Sequence, residues 1–250
     1  MANKVMDQIR NRKSMRVFED RPIEPGIKNE ILDAAFQAPT AGAMMLYAIL
    51  DITEQELKDA LAAACDHQPF IARAPLVLVF LADYQRWYDS FSFAGCEPRK
   101  PGEGDLLLAC ADAVIAAQNT VVAAESFGIG SCYIGDIIEN CETVRELLGL
   151  PDFAVPAAMV VYGYPVKAQK ERRKPVRFEK EYIVYENRYR RLTSDEHMSM
   201  HRARHRKAGR EIEDICGDIK EFCQRKYLSG FALEMNRSAA EYLKKFKDGR

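Results

Sequence analysis

An α+β sandwich built around a single sheet is the fold class this sequence predicts. Three observations point to it. Separate runs at 47–52, 75–83 and 155–162 have the length and the β-branched or aromatic content of buried strands. A stretch beginning at Asp105 runs past twenty residues without Gly or Pro until Gly128, apolar on nearly every face, as a long buried helix would be. Between these lie segments with apolar residues at helical spacing, so helices must cover three or four strands.

Taken in order, Val5, Met6 and Ile9 mark a short opening helix over 3–11, and 12–18 (RKSMRVF) reads as extended or turning. Pro25 suits the first turn of a helix whose apolar face is Ile27, Ile31, Leu32 and Phe36; Pro39 ends it by pushing Ala38 out of helical geometry. A small apolar loop, 39–45, precedes the first strand. Thr53 with Glu56 forms a capping box for a helix carrying Leu57, Leu61 and Ala64. After His67-Gln68-Pro69, PLVLVFLAD is a strand buried on both faces. Residues 84–104, aromatic and then Gly/Pro-rich, are expected as a surface excursion. Gly128 and Gly130 end the long helix, and a short apolar segment continues to Gly135 and Asp136. Asn140 caps a helix through Val144, Leu147 and Leu148, closed by Gly149 and Pro151. The last strand ends at Gly163. Residues 167–177 carry six basic residues and one acid and are expected as a loop and possible anion site. From 195 the chain is charged and helical, with Phe222, Tyr227, Phe231, Leu233 and Met235 as packing points. With no repeat and no flexible linker, residues 1–250 are expected as one domain, with 191–250 a helical C-terminal extension.

The net charge of -1 offers no global attraction to nucleic acid or anionic membrane. Seven cysteines, with no CxxC pair, indicate neither a zinc site nor a disulfide framework. The long helix would just span a bilayer, but Asp112, Gln118, Asn119 and Glu125 argue against that. The N-terminus lacks the apolar core of a signal peptide, so a cytoplasmic location is expected.

Chemistry concentrates in few places. In an extended 12–16 segment, Arg12, Ser14 and Arg16 point one way, two guanidinium forks and a hydroxyl suited to a phosphate monoester, or else a solvated basic turn that includes Lys13. The basic loop ending at Arg177 is a second cluster able to meet the same phosphate, or a solvated face. The glycines from 128 to 135 do not match a dinucleotide fingerprint. A basic helical face at 201–210 (HRARHRKAGR) is open to nucleic acid, to the extra phosphate of NADPH, or to solvent alone. Gln68 and His67 stand without a catalytic triad. With so little acid, base or nucleophile, an enzyme of this sequence would draw its reactivity from a bound cofactor.

RKSMRVF (12–18), APTAG (38–42), FLADYQRW (80–87), AAQNTVVAAESFGIG (116–130) running on into SCYIGD, GYP (163–165) and VYENRY (184–189) together resemble the nitroreductase family of FMN-dependent oxidoreductases, in particular NADPH-type flavin and nitro reductases with extended C-terminal helices. The matches fall in the family's order over about residues 4–190 and loosen beyond 195.

The resemblance implies an α/β/α sandwich with a central, mostly antiparallel sheet in an obligate homodimer, with FMN at the interface. Arg12, Lys13, Ser14 and Arg16 would hold the FMN phosphate and ribityl chain, joined by Arg177 and by Lys174, since Pro175 stands where the family has lysine. Gln68 would reach the flavin's polar edge. Ile134, Gly135 and Asp136 would set a backbone amide against N5 and cover one ring face, while Thr40, Ala41, Gly42 and Ala43 line the other side. Ala43 replaces the family's Ser or Asn, leaving backbone contacts there. No protein catalytic residue and no metal are expected. NADPH or NADH would give hydride to the flavin, which passes it to a nitroaromatic, quinone or flavin acceptor in a ping-pong cycle. The alternatives are a flavin-fragmenting or dehalogenating relative, or a flavin-binding sensor or store without turnover.

Overall fold

Four strands, β1 (Tyr47–Asp51), β2 (Leu76–Asp83), β3 (Gly130–Ile134) and β4 (Ala154–Gly163), pair antiparallel in the order β1-β2-β4-β3. They belong to a computed structural model that describes residues 3–247. The chain divides into two compact units: residues up to Arg172 together with those from Glu234 onward, and residues 173–233.

The first unit holds the sheet. Its helices are α1 (Lys4–Asn11), α2 (Pro25–Phe36), α3 (Gln55–Ala64), α4 (Pro69–Ala72), α5 (Gln85–Phe93), α6 (Glu103–Ser126), α7 (Cys141–Leu148) and α8 (Lys167–Glu171). All eight residues of β2 are buried because both faces of the sheet are covered. Leu76, Leu78 and Phe80 pack with Ile31 and Ala35 of α2 and with Ala113, Ala116, Ala117, Val121 and Ala124 of α6. Val77, Val79 and Leu81 point the other way, toward Leu61 of α3, Ile71 of α4 and Val144 of α7. This is the expected α/β/α sandwich. Between Phe80 and Leu81 the β2–β4 register slips, beside Pro156, which has no N–H to give to a ladder.

Most polar interruptions of α6 find partners inside the fold. Asn119 Nδ2 donates to Ala34 O (3.1 Å), the Thr120 and Tyr162 hydroxyls pair at 2.6 Å, and Tyr133 donates to Gln118 Oε1 (3.3 Å). Asp112 holds a loop described below. The opposite face of α6 is not buried by this chain: Leu107, Leu108, Val114 and Ile115 are exposed, as are Val5, Met6 and Ile9 of α1.

Several local expectations are corrected. The start of α3 is Glu54 without a side-chain cap, so the Thr53/Glu56 capping box does not form. Residues 84–104 are not wholly an excursion, because 85–93 make α5. The basic stretch 167–177 begins with α8, supported by Lys167 and Glu171 one turn apart at 3.7 Å. Asn140 stands at the start of α7 but does not cap it: its backbone is left-handed (φ 49°) and its amide donates to Ala64 O (2.8 Å).

The segment after α1 is laid along the sheet edge. Ser14 bridges Ser131 in parallel, Met15 N donates to Ser131 O (2.9 Å), and Phe18 bridges Pro165. Two glycines make room for it. A Cβ on Gly130 would lie 2.6 Å from Met15 Cγ, and one on Gly163 would lie 2.6 Å from Phe18 Cγ.

The second unit contains α9 (Ser194–Lys207), opened by a capping box of Thr193 and Glu196, and α10 (Ile215–Phe222). The last helix, α11 (Gly230–Leu243), belongs to the first unit from Glu234 on. There Glu234 accepts from Asn140 N (3.1 Å), Ser238 accepts from Cys141 N (3.0 Å), and Arg237 forks onto Glu142.

Candidate functional site

Where α1 stops at Arg12 the backbone becomes extended, and its side chains alternate. Met15, facing inward, is buried against the sheet. Lys13 also turns from the arginines: its ammonium donates to the carbonyls of Lys170 (2.6 Å) and Arg172, and Arg172 donates back to Ser14 O (2.5 Å). Lys13 therefore anchors the segment rather than joining the open cationic face. Ser14 and Arg16 meet at the thiol of Cys132 on β3, while the Arg12 guanidinium lies 5.8 Å from the ring of Tyr133, the next residue of that strand. Burial pushes that thiol's pKa up, opposed by Arg16, by a hydrogen bond from Ser14 and by Arg12. The Arg16 guanidinium also lies 5.9 Å from the Phe70 ring on α4, next to Gln68.

Arg12 carries the decisive detail. Its Nε and Nη2 are buried and have no hydrogen-bond partner among the described residues, and neither does the buried hydroxyl of Ser131 on the paired strand. A buried donor left unmatched costs about 1–3 kcal/mol, more when charged, so the Arg12 donors call for an acceptor in a pocket that Gln8, Gln118 and the carboxylate of Glu125 also line.

A second cluster forms where the chain leaves α3 and β3. Asp66 and His67 both take left-handed backbone (φ 58° and 51°) and aim the chain into Gln68, whose amide donates to Cys65 O (2.9 Å). The turn Gly135–Ile138 follows β3 directly, with Ile134 in the core and Gly135 exposed. A Cβ on Gly135 would meet nothing within 4 Å, so its backbone is open to a ligand. The neighbouring glycines have other reasons: Gly128 exits the helix at φ +71°, and Gly130 accommodates Met15. Asp136 and Glu139 both act on the Cys65 thiol, which burial pushes up to about 12, so the 65–68 and 134–139 turns adjoin. Glu139 itself is buried, and burial with Asp136, Asp66 and Glu234 nearby pushes it up to about 7.

The 40–46 loop is held from behind. Asp112, 3% exposed on α6, accepts from Ala41 N (3.0 Å), Leu46 N (3.1 Å) and the Thr40 hydroxyl. No hydrogen bond or ion pair joins this loop to Arg12, Ser14 or Arg16 among the described residues. Asp112 and the Arg12 neighbour Val121 are nine residues apart on α6, about 13 Å along the axis. Lys174 and Arg177 belong to the second unit. There Arg173 donates to the carbonyls of Lys207 (2.9 Å) and Ala208 (3.2 Å), closing α9. Arg202, His205, Arg206 and Arg210 line a cavity of about 280 Å³ with Glu211, Ile212 and Glu213.

A family model described as the nitroreductase family matches residues 9–164, which takes in the Arg12 pocket, the 40–46 loop and both turns. The chain belongs to the nitroreductase family. Among its relatives, an NADPH-dependent oxidoreductase of Staphylococcus aureus is 27% identical over 191 residues, 76% of this chain and 75% of the relative. A Cr(VI) reductase of a Pseudomonas species is 29% identical over 186 residues, 74% of this chain and 75% of that one. The solved NADPH:FMN oxidoreductase of Vibrio harveyi, complexed with NAD+, aligns over 99% of this chain and 100% of its own, with 26% identity and a TM-score of 0.76.

For a nitroreductase the group to be held is FMN, and the residues present fit it. The unmatched Arg12 donors, and Ser14 and Arg16 at Cys132, are groups that would suit a phosphate. The open backbone at Gly135 suits a flat ring. Sequence reasoning missed Ser131, Phe70, Cys132 and Glu139, which carry no pattern of their own. Asp112 did carry a signal, as a charge inside an apolar helix.

Proposed function

We propose that this nitroreductase passes hydride from NAD(P)H to a small electron-poor acceptor, a nitroaromatic, quinone or free flavin, in a ping-pong cycle. Its class and cofactors follow from the family: it is an FMN-dependent oxidoreductase that uses NAD(P)H. FMN, when bound, would supply the hydride chemistry, so no protein nucleophile is needed.

The chain's own task is to bind and orient. Arg12, Ser14 and Arg16 take the phosphate and the near end of the ribityl chain, and Lys13 fixes their backbone through 170–172. Gln68 would face the polar edge of the ring. Ile134, Gly135 and Asp136 would cover one face with backbone, and Thr40, Ala41, Gly42 and Ala43 would line the other side. The observation that carries this reading is the pair of buried, unmatched guanidinium donors on Arg12. The exposed apolar stripe of Leu107, Leu108, Val114 and Ile115 on α6 supports a homodimer, since such a face is stable only when covered. The cationic cavity at Arg202, Arg206 and Arg210 supports NADPH over NADH as donor, its arginines meeting the extra phosphate. The cytoplasm is the proposed location.

Anaerobic rapid mixing with NADPH tests turnover. Bleaching of the flavin within seconds, followed by recolouring with a quinone or nitroaromatic, is expected. Flavin that stays oxidised would leave a binding protein rather than a reductase.

A further inference from the structure

We infer that Asp112 is a positioning residue, the anchor that sets the shape of the 40–46 loop and, through it, the seating of the flavin ring. This rests on the reading of Thr40 to Ala43 as ring-lining.

A carboxylate 3% exposed must have its charge met, and Asp112 makes no ion pair among the described residues. It is met instead by the loop: both carboxylate oxygens accept from Ala41 N (3.0 and 3.2 Å), and one also accepts from Leu46 N (3.1 Å) and the Thr40 hydroxyl. Thr40 Oγ1 relays the hold by accepting from Met45 N (2.7 Å). These bonds reach 66 to 72 residues back in sequence, so nothing local dictates them.

The loop needs such a hold. Gly42, Ala43 and Met45 all take left-handed backbone (φ 55°, 57° and 51°), and two of the three have side chains that disfavour it. A conformation of this kind persists only when its surroundings over-determine it. Asp112 supplies the inner half of that surround. The outer half comes from α5: Trp87 Nε1 donates to Met44 O (2.7 Å), and Arg86 donates to the carbonyls of Met45 (3.1 Å) and Tyr47. What remains outside the clamp is the tip Gly42-Ala43, both exposed and with no side chain longer than a methyl. A tip so small touches a flat ring with backbone, so its placement is set by its anchors.

The contact from Trp87 also supplies the reporter, because it is the only tryptophan in the chain. Its emission in FMN-free protein reads the loop independently of any catalysis. The test compares wild type with Asp112→Asn, Asp112→Ala and Thr40→Val. Trp87 emission and acrylamide quenching are measured without FMN, then FMN affinity, then the limiting rate of flavin reduction by NADPH.

The two Asp112 variants should red-shift Trp87 and raise its quenching, and Thr40→Val should do so in the same direction by less. FMN affinity should stay within about threefold because the phosphate clamp is remote, while flavin reduction slows on the order of tenfold or more, as sub-ångström to ångström misplacement does. If Asp112→Ala fails to fold, the asparagine and valine variants carry the test. Unchanged Trp87 emission overturns the anchor. Altered emission with an unchanged reduction rate overturns its link to the ring, and loss of FMN in step with rate would make Asp112 merely structural. Wild-type protein that binds no FMN defeats the flavin reading instead, and the Trp87 measurements then still decide whether Asp112 anchors the loop.

Discussion

Replacing Glu139 with glutamine should make the protein more stable at neutral and alkaline pH and only slightly more stable near pH 5. Glu139 is 5% exposed, its Oε1 has no partner among the described residues, and the carboxylates facing it are Asp136, Asp66 and Glu234. Burial and then repulsion raise it from 4.5 to about 7. The sign follows from linkage. Between those two values the folded protein holds a proton that the unfolded chain has lost, so stability is full below about pH 4.5 and falls as pH rises through 7. A shift of about 2.5 units at 1.36 kcal/mol each sets an upper value on the order of 3 kcal/mol for the loss. Glutamine keeps the shape, removes the charge and offers its amide to the same acids. Urea unfolding of FMN-saturated wild type and Glu139→Gln, at one protein concentration and at pH 5, 6, 7 and 8, gives the comparison. The variant should gain on the order of 1–3 kcal/mol at pH 8 and about a quarter of that at pH 5, with m unchanged. Parallel pH profiles, or a variant weaker at pH 8, would refute a protonated Glu139.

Arg16→Ala should weaken FMN retention by about 1–3 kcal/mol, read as a rise in Kd by fluorescence titration, because it removes a charge-assisted donor. Gly163→Ala should cost about 1–3 kcal/mol of thermal stability and loosen FMN as well, since the new methyl would stand 2.6 Å from Phe18 Cγ and displace the segment that carries Arg16. Leu107→Glu with Ile115→Glu should shift the protein from dimer to monomer in sedimentation velocity, because both side chains lie on the exposed stripe of α6. Arg206→Ala should raise KM for NADPH several-fold and leave KM for NADH unchanged in steady-state assays.

Much of the fold was legible because burial writes itself into residue type. The unbroken apolar run from Leu76 to Ala82 marks β2, and the uninterrupted Ala, Leu and Val of α6 mark the long helix. What stayed hidden was decided by distant partners or by competing local signals. The 85–93 stretch QRWYDSFSF falls in a segment, 84–104, expected as a surface excursion because it is aromatic and then Gly/Pro-rich, yet it forms a helix whose Trp87 and Arg86 dock on the carbonyls of 44, 45 and 47. Thr53 looked like a cap, but the helix starts at Glu54 instead; no contact in the structure explains the choice.

The site divides the same way. Alternation along an extended segment was enough to put Ser14 and Arg16 at one thiol, while Arg12 reaches Tyr133. Alternation also sent Lys13 the other way, onto carbonyls some 157 to 159 residues later, which no local pattern announces. The glycines of 128–135 looked alike in sequence. Only tertiary contact separates them: one turns the chain, one yields to Met15, and Gly135 is left open.

On the proposed reading FMN binding turns on Arg12, whose buried Nε and Nη2 have no hydrogen-bond partner among the described residues. A visible spectrum of the purified protein, with titration of FMN into wild type and Arg12→Met, puts that role to the test. The protein should be yellow and release FMN on denaturation. The variant should fold normally but bind FMN at least tenfold more weakly, roughly what loss of a charged hydrogen bond implies. A colourless protein that takes up no FMN, or an Arg12→Met variant with unchanged affinity, would contradict the assignment.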